Sequence, residues 1–162
     1  NQLKNKSVYR LYQALVIGRA YDLARHTTID APIARHATQR TKMAVVQGGK
    51  SAVTHLIQVN AITEYFSLVK VRLETGRTHQ IRVHLSHLGF PLVGDTVYGS
   101  ARKNATLIHQ LPPAQSEAFK NFPRQALHAY ELGFVHPKTG LPVQVTAALP
   151  EDMTQLLATL QA

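Results

Sequence analysis

The chain of 162 residues has no cysteine. Disulfides, a cysteine nucleophile and thiolate metal sites are therefore excluded. Acidic residues are scarce, with 9 Asp and Glu against 18 Lys and Arg. The aspartates are Asp22, Asp30, Asp95 and Asp152 alone. They do not form the clustered carboxylates that a metal-dependent nuclease or phosphodiesterase requires. His79, His84 and His87 come nearest to a zinc set, but they are spaced five and three apart with no acid to complete it. Helical zinc sites use other spacings, so no metal is expected. No apolar run approaches the ~20 residues of a membrane-spanning helix. No signal-peptide pattern is visible, and a cytoplasmic location is the default expectation. Internal repeats and low-complexity tracts are also missing.

What the chain does have is positive charge. A formal net charge of +9 implies an anionic partner, and nucleic acid explains it better than a surface that is merely solvated. The run Arg35-His-Ala-Thr-Gln-Arg-Thr-Lys-Met43 carries Arg35, Arg40 and Lys42 without acidic relief. It reads as a solvated loop or as a phosphate-contacting surface. The length suits one domain, or part of one, with its own core. A monomer is expected.

Both faces of Val8–Ile17 carry apolar residues, which predicts a central strand ended by Gly18. Residues 19–34 read as a loop, with turn chemistry at Asp30-Ala-Pro32. A short strand at 44–46 and a Gln47-Gly-Gly-Lys50 turn precede a strand at 53–59. Its antiparallel neighbour spans 66–74. Residues 100–123 read as a polar excursion, a helix-flanked surface loop with Pro112 and Pro113. Leu127–His136 and Val143–Ala147 form a hairpin across Gly140. Pro150, taken as the first helical position, opens a final helix whose apolar face is Met153, Leu156, Leu157 and Leu160. About six strands with two clear helices, not alternating, predict an α+β fold with a mixed, largely antiparallel sheet and flanking helices.

The most informative stretch is Leu73-Glu-Thr-Gly-Arg-Thr-His-Gln-Ile-Arg82. A strand ends in a turn at Thr75-Gly76, and Thr78 reads as the N-cap of a helix with Ile81, Leu85 and Leu88 on one stripe. Thr78, Arg82 and Ser86 form a polar row beside that stripe. Gly89 and Pro91 close the helix. Arg77, Thr78 and His79 at a strand-to-helix turn suit an anionic ligand.

This stretch, with Pro91-Leu-Val-Gly-Asp95 and Val97-Tyr-Gly99, resembles the third motif of the RluA-type pseudouridine synthases. Phe122-Pro-Arg-Gln-Ala-Leu-His-Ala129 and Val135-His-Pro…Gly140 extend the likeness over nearly the whole chain. Arg10, Tyr12, Ala14 and Gly18 meet the family's second signature. The pattern is most similar to the D-type branch, which modifies a stem-loop of large-subunit ribosomal RNA. The resemblance implies an isomerase of uridine in RNA of the helix 69 type, acting in rRNA processing and ribosome biogenesis with no cofactor. It implies the family's catalytic fold, an antiparallel sheet around a cleft. It makes Tyr12 the residue against the flipped base and Arg82 the guanidinium that holds a nucleophilic aspartate. Arg77 and His79, with Arg35, Arg40 and Lys42, are the expected RNA contacts. Read without the family, Tyr12 is a core tyrosine and Arg82 a surface helix arginine.

The family's nucleophile lies in an Arg-Leu-Asp motif before the tyrosine strand, and no Arg-Leu-Asp occurs here. The expectation is that residues 1–162 are the C-terminal portion of the catalytic domain. The aspartate and any S4-like RNA-binding domain would then lie elsewhere, and the piece alone would be inactive. The alternative is a non-catalytic RNA-binding or ribosome-associated module.

Overall fold

The computed structural model describes residues 8–162. Asn1–Ser7, polar in sequence apart from Leu3, lies outside them. Strand β1, Tyr9–Ile17, leads into a single helical turn, α1, Ala20–Leu23. Short strands β2 (Thr28–Asp30), β3 (Ile33–Arg35) and β4 (Met43–Val45) follow. Then come β5 (Val53–Ala61), β6 (Phe66–Leu73) and helix α2 (Gln80–His87). Helices α3 (Ala101–Gln110) and α4 (Pro113–Asn121) precede the hairpin of β7 (Leu127–Val135) and β8 (Pro142–Thr146). Helix α5, Glu151–Gln161, ends the chain.

Six strands form one sheet in the order β2-β5-β6-β1-β7-β8, and each adjacent pair is antiparallel. β3 and β4 make a separate two-stranded ribbon. The fold is α+β, as the mixed order of elements predicts. β1 lies between β6 and β7, and its two faces feed two cores. Ala14 and Val16 pack with Val69 and Val71 beneath Ile81 and Leu85 of α2. Leu15 and Phe66 pack on the other side against Leu107, Phe119, Met153 and Leu156 of the three later helices. Burying a Leu or Phe side chain is worth about 1.5–3 kcal/mol. The two-sided burial of β1 therefore fixes the strand that carries Tyr12.

Several local expectations need correction. Residues 19–34 hold α1, β2 and the start of β3 as well as loop. Residues 100–123 hold two helices, separated where Leu111 and Pro112 adopt extended backbone. Pro113 is the first helical residue of α4, where its missing N–H costs nothing. Ser100 caps α3 by accepting from the Lys103 amide at 3.2 Å. Pro150 sits at the cap of α5, just before the first helical residue. The cap of α2 is His79, not Thr78, with φ 56° in the left-handed region and no side-chain cap bond.

Candidate functional site

The turn after β6 is held by one continuous run of polar side chains. Thr75 Oγ1 accepts from the Val53 amide at 2.9 Å and donates to Gln80 Oε1 at 2.7 Å. The Arg77 amide donates to the same Gln80 oxygen at 3.0 Å. The two N–H groups of the Gln80 amide reach the Val53 carbonyl and Thr54 Oγ1, each at 3.0 Å. Thr54 lies 2.8 Å from His84 Nδ1, and His84 Nε2 lies 2.9 Å from the Ala31 carbonyl. A carbonyl only accepts, so Nε2 carries the proton, and Nδ1 accepts the Thr54 hydroxyl. Thr54, Gln80 and His84 are all buried, so each bond forgone leaves an unmet group at about 1–3 kcal/mol. Burial, first of all, also holds the His84 pKa below its ordinary value, despite the bond to Ala31.

The polar row of α2 meets the loop that follows the helix. Arg82 Nε donates to Asp95 Oδ2 at 2.8 Å and Nη2 to Oδ1 at 3.0 Å. Asp95 Oδ1 also accepts from the Val97 and Tyr98 amides, and Ser86 Oγ donates to the Tyr98 carbonyl at 2.7 Å. The Asp95 side chain is fully buried and that of Arg82 is 11% exposed. Burial pushes the Asp95 carboxyl up, but bonds from Arg82 and the two amides, with the charge of Arg82, outweigh it and leave the pKa below the usual value. The sequence reading reserved Arg82 for an acid from elsewhere. Here its acid is Asp95, because the turn at Gly94 brings that carboxylate back onto the helix.

Tyr98 ties this loop to the rest of the site. Its hydroxyl accepts from the Met43 amide at 3.0 Å and lies 2.7 Å from His79 Nδ1. The hydroxyl thus joins the Met43 backbone to the His79 ring. The Arg82 guanidinium sits 5.0 Å from the Tyr98 ring centre and the Lys42 ammonium 5.8 Å. Burial and the nearby Arg82 charge lower the His79 pKa.

Tyr12 is half-buried, paired in register with Val71 and Ala129 and packed on the core under α2. Opposite Leu11 and Tyr12 the register with β7 shifts by one residue, which leaves Tyr130 as the extra residue of a bulge on β7. Arg10, two residues away on the same face, lays its guanidinium against Gly76, where a Cβ would stand 2.7 Å from Nη2. The two sequence signatures therefore touch. No ion pair to Arg10 or Arg77 occurs among the described residues.

Of the expected RNA contacts, Arg35 and Arg77 line one cavity, while Lys42 and His79 converge on Tyr98. Arg40 contributes its carbonyl, which accepts from Arg35 Nη1. Among the described residues no group of His, Asp and Glu is arranged to hold a metal ion, and no helix is long and apolar enough to cross a membrane. Sequence reasoning gave no site role to Thr54, Gln80, His84, Asp95 or Tyr98. Four of these stand inside or beside the matched motifs. Only their partners, brought from β5 and the loop after α2, show what they do.

A family model described as RNA pseudouridylate synthase matches residues 1–87. The ribosomal large subunit pseudouridine synthase D of Pseudomonas aeruginosa is 47% identical over 164 residues, covering 99% of this chain and 48% of that protein. The protein of the same name from Escherichia coli is 42% identical over 167 residues, covering 99% and 47%. The chain thus spans about half the length of the curated relatives it matches. Among solved structures, human RNA pseudouridylate synthase domain containing 4 superposes with a TM-score of 0.70 at 23% identity, covering 99% of this chain and 65% of that one. Human RNA pseudouridylate synthase domain containing 1 gives 0.64 at 26% identity, covering 99% and 69%.

Proposed function

The chain belongs to the RNA pseudouridylate synthase family, and on that footing we propose that it is part of an enzyme that isomerises uridines in large-subunit ribosomal RNA. The substrate is a stem-loop of the helix 69 type, and the work belongs to rRNA processing in the cytoplasm during ribosome biogenesis. The N1–C1′ bond of the uridine breaks, the uracil turns, and a C5–C1′ bond forms. C5 gives up a proton and N1 gains one, so the reaction balances without a cofactor. The target base must leave its stack, at a cost of a few kcal/mol that is smallest in a loop.

The observation that carries this reading is the contact between Arg10 and Gly76. It sets the tyrosine strand beside the turn of the third motif. Tyr12 is proposed to lie against the displaced uracil and to assist the loss of the C5 proton. The nucleophilic carboxylate is proposed to come from an Arg-Leu-Asp segment outside these residues. Arg82, already matched by Asp95, acts in this proposal by fixing the loop at residues 94–99. Arg10 is left to meet the incoming acid. Arg35, Arg40, Lys42, Arg77 and His79 are proposed to face RNA.

The test begins with the gene upstream of Asn1, where an in-frame Arg-Leu-Asp is expected. The longer protein should release tritium from RNA carrying [5-³H]uridine, and residues 1–162 alone should not. The Arg82–Asp95 pair, which needs no outside acid, favours a second reading: a non-catalytic RNA-binding module. Failure of the longer protein to release tritium would select it.

A further inference from the structure

Between the β3–β4 ribbon, the turn before β5 and the turn after β6 lies a cavity of about 550 Å³. Arg35, Lys50 and Arg77 line it, and no acidic residue does. Lys50 belongs to no motif and was read from sequence only as part of a turn. Unbalanced charge of one sign in a concave site focuses the potential and draws counter-ions.

The arginines are held in place. Arg77 Nε donates to the Ser51 carbonyl at 2.9 Å, which leaves both terminal nitrogens free of that bond. Arg35 spends one Nη1 N–H on the Arg40 carbonyl and keeps its other donors. A guanidinium oriented this way presents a fork that matches two oxygens of a phosphate. The Arg77 amide is itself fixed through Gln80, so the run of polar side chains back to His84 sets where this cation stands. Backbone at Gly48, Gly49 and Gly76 forms much of the wall. Gly48 takes φ +85°, and nothing lies within 4 Å of where its Cβ would be. Gly76 faces this cavity and also touches Arg10, two residues from Tyr12 along β1. Arg10 itself lines, with Tyr12, a separate cavity on the tyrosine face, so its side chain links the two.

We propose that this cavity is a cradle for one phosphodiester of the RNA strand, next to the nucleotide presented to Tyr12. The assignment rests on the RNA reading above.

The test uses the longer protein that includes the Arg-Leu-Asp segment and a fluorescently labelled uridine-containing stem-loop RNA, with affinity read by anisotropy over a salt series. The Arg35→Gln/Lys50→Gln double variant changes two exposed side chains, and a melting curve checks its fold. It should bind at least about tenfold more weakly, with a log–log salt slope shallower by about one unit, since each phosphate contact carries about 0.7–0.9 of slope. An Arg102→Gln/Lys103→Gln control removes equal charge from the α3 surface and should keep affinity within about threefold. Inorganic phosphate at matched ionic strength should fail to displace the RNA.

Wild-type protein that binds while the Arg35/Lys50 variant matches it in affinity and slope overturns the cradle alone. An equal loss in the α3 control also overturns it, because the effect would then be net charge. Full displacement by inorganic phosphate reassigns the cavity to the free ion. A longer wild-type protein that does not bind the RNA at all overturns the RNA reading and the cradle with it.

Discussion

Arg82 and Asp95, thirteen residues apart in sequence, face each other through two N–H···O bonds of 2.8 and 3.0 Å. Removing one partner of such a buried pair strands the other charge, at about 3–5 kcal/mol. Arg82 keeps 11% exposure, so Asp95→Asn and Arg82→Ala should each cost about 3 kcal/mol, the lower end of that range. Urea unfolding at neutral pH measures this. A loss below about 1 kcal/mol, the worth of an exposed ion pair, would mean solvent already screens the contact.

The same pair fixes an acid limb of stability. The Asp95 pKa is lowered in the folded state, so its stabilising contribution is complete above the unfolded value of about 3.9 and is lost as pH falls below it. Stability of the wild type should drop steeply in that range. The Asp95→Asn protein should show a shallower fall.

His84 governs a second, milder window. Its folded pKa is also lowered. Stability from its neutral form is complete above the unfolded value of about 6.5 and declines as pH falls through the folded value. Long-range ¹⁵N–¹H spectra should show an Nε2–H tautomer that resists titration below pH ~6.5. Thr54→Val should cost about 1–3 kcal/mol by stranding Gln80 and His84, while Thr54→Ser keeps the hydroxyl. Equal losses in the two variants would point to packing and not to the hydrogen-bonded run.

Glycines separate site effects from fold effects. A Cβ at Gly94 meets the Arg124 backbone carbonyl, and φ there is +77°. Gly94→Ala should lose about 1–2 kcal/mol for the left-handed backbone and about 1–3 more for the clash. Gly76→Ala meets only the tip of the Arg10 side chain. It should leave the melting temperature nearly intact and displace Arg10 from the turn. Thermal denaturation of the two variants side by side makes the comparison.

Tyr12 separates contact from chemistry in the longer protein. Tyr12→Phe preserves the packed ring. If its hydroxyl assists proton loss, the rate should fall by roughly 10²–10⁴. RNA affinity should hold. Single-turnover tritium release and RNA binding on the same protein distinguish the two. A rate within tenfold of wild type would leave Tyr12 with a packing role only.

The sequence shows the strands well because hydrophobic alternation in β1, β5 and β6 reports burial directly. It shows the third motif because a run of contiguous residues carries it. It hides α1 and the separate α3 and α4, whose few buried residues, such as Leu23 and Leu107, give weak periodicity among polar neighbours. It also hides every long-range pairing. Nothing in the residues around Arg82 says that Asp95 will return to it, and nothing around Gln80 says that Thr54 will reach it from β5. The left-handed cap at His79 defeats the usual capping rule, which looks for a serine, threonine, asparagine or aspartate.

The central claim is that the tyrosine strand and the turn after β6 form one uracil-handling site in an RNA isomerase. The most direct measurement maps pseudouridines by carbodiimide modification and primer extension. The substrate is a large-subunit rRNA transcript treated with the longer protein that includes an Arg-Leu-Asp segment. New stops at a few uridines in one stem-loop, abolished by Tyr12→Ala and by Arg77→Ala, are predicted. A transcript without new stops, or with stops unchanged by both substitutions, would contradict the account.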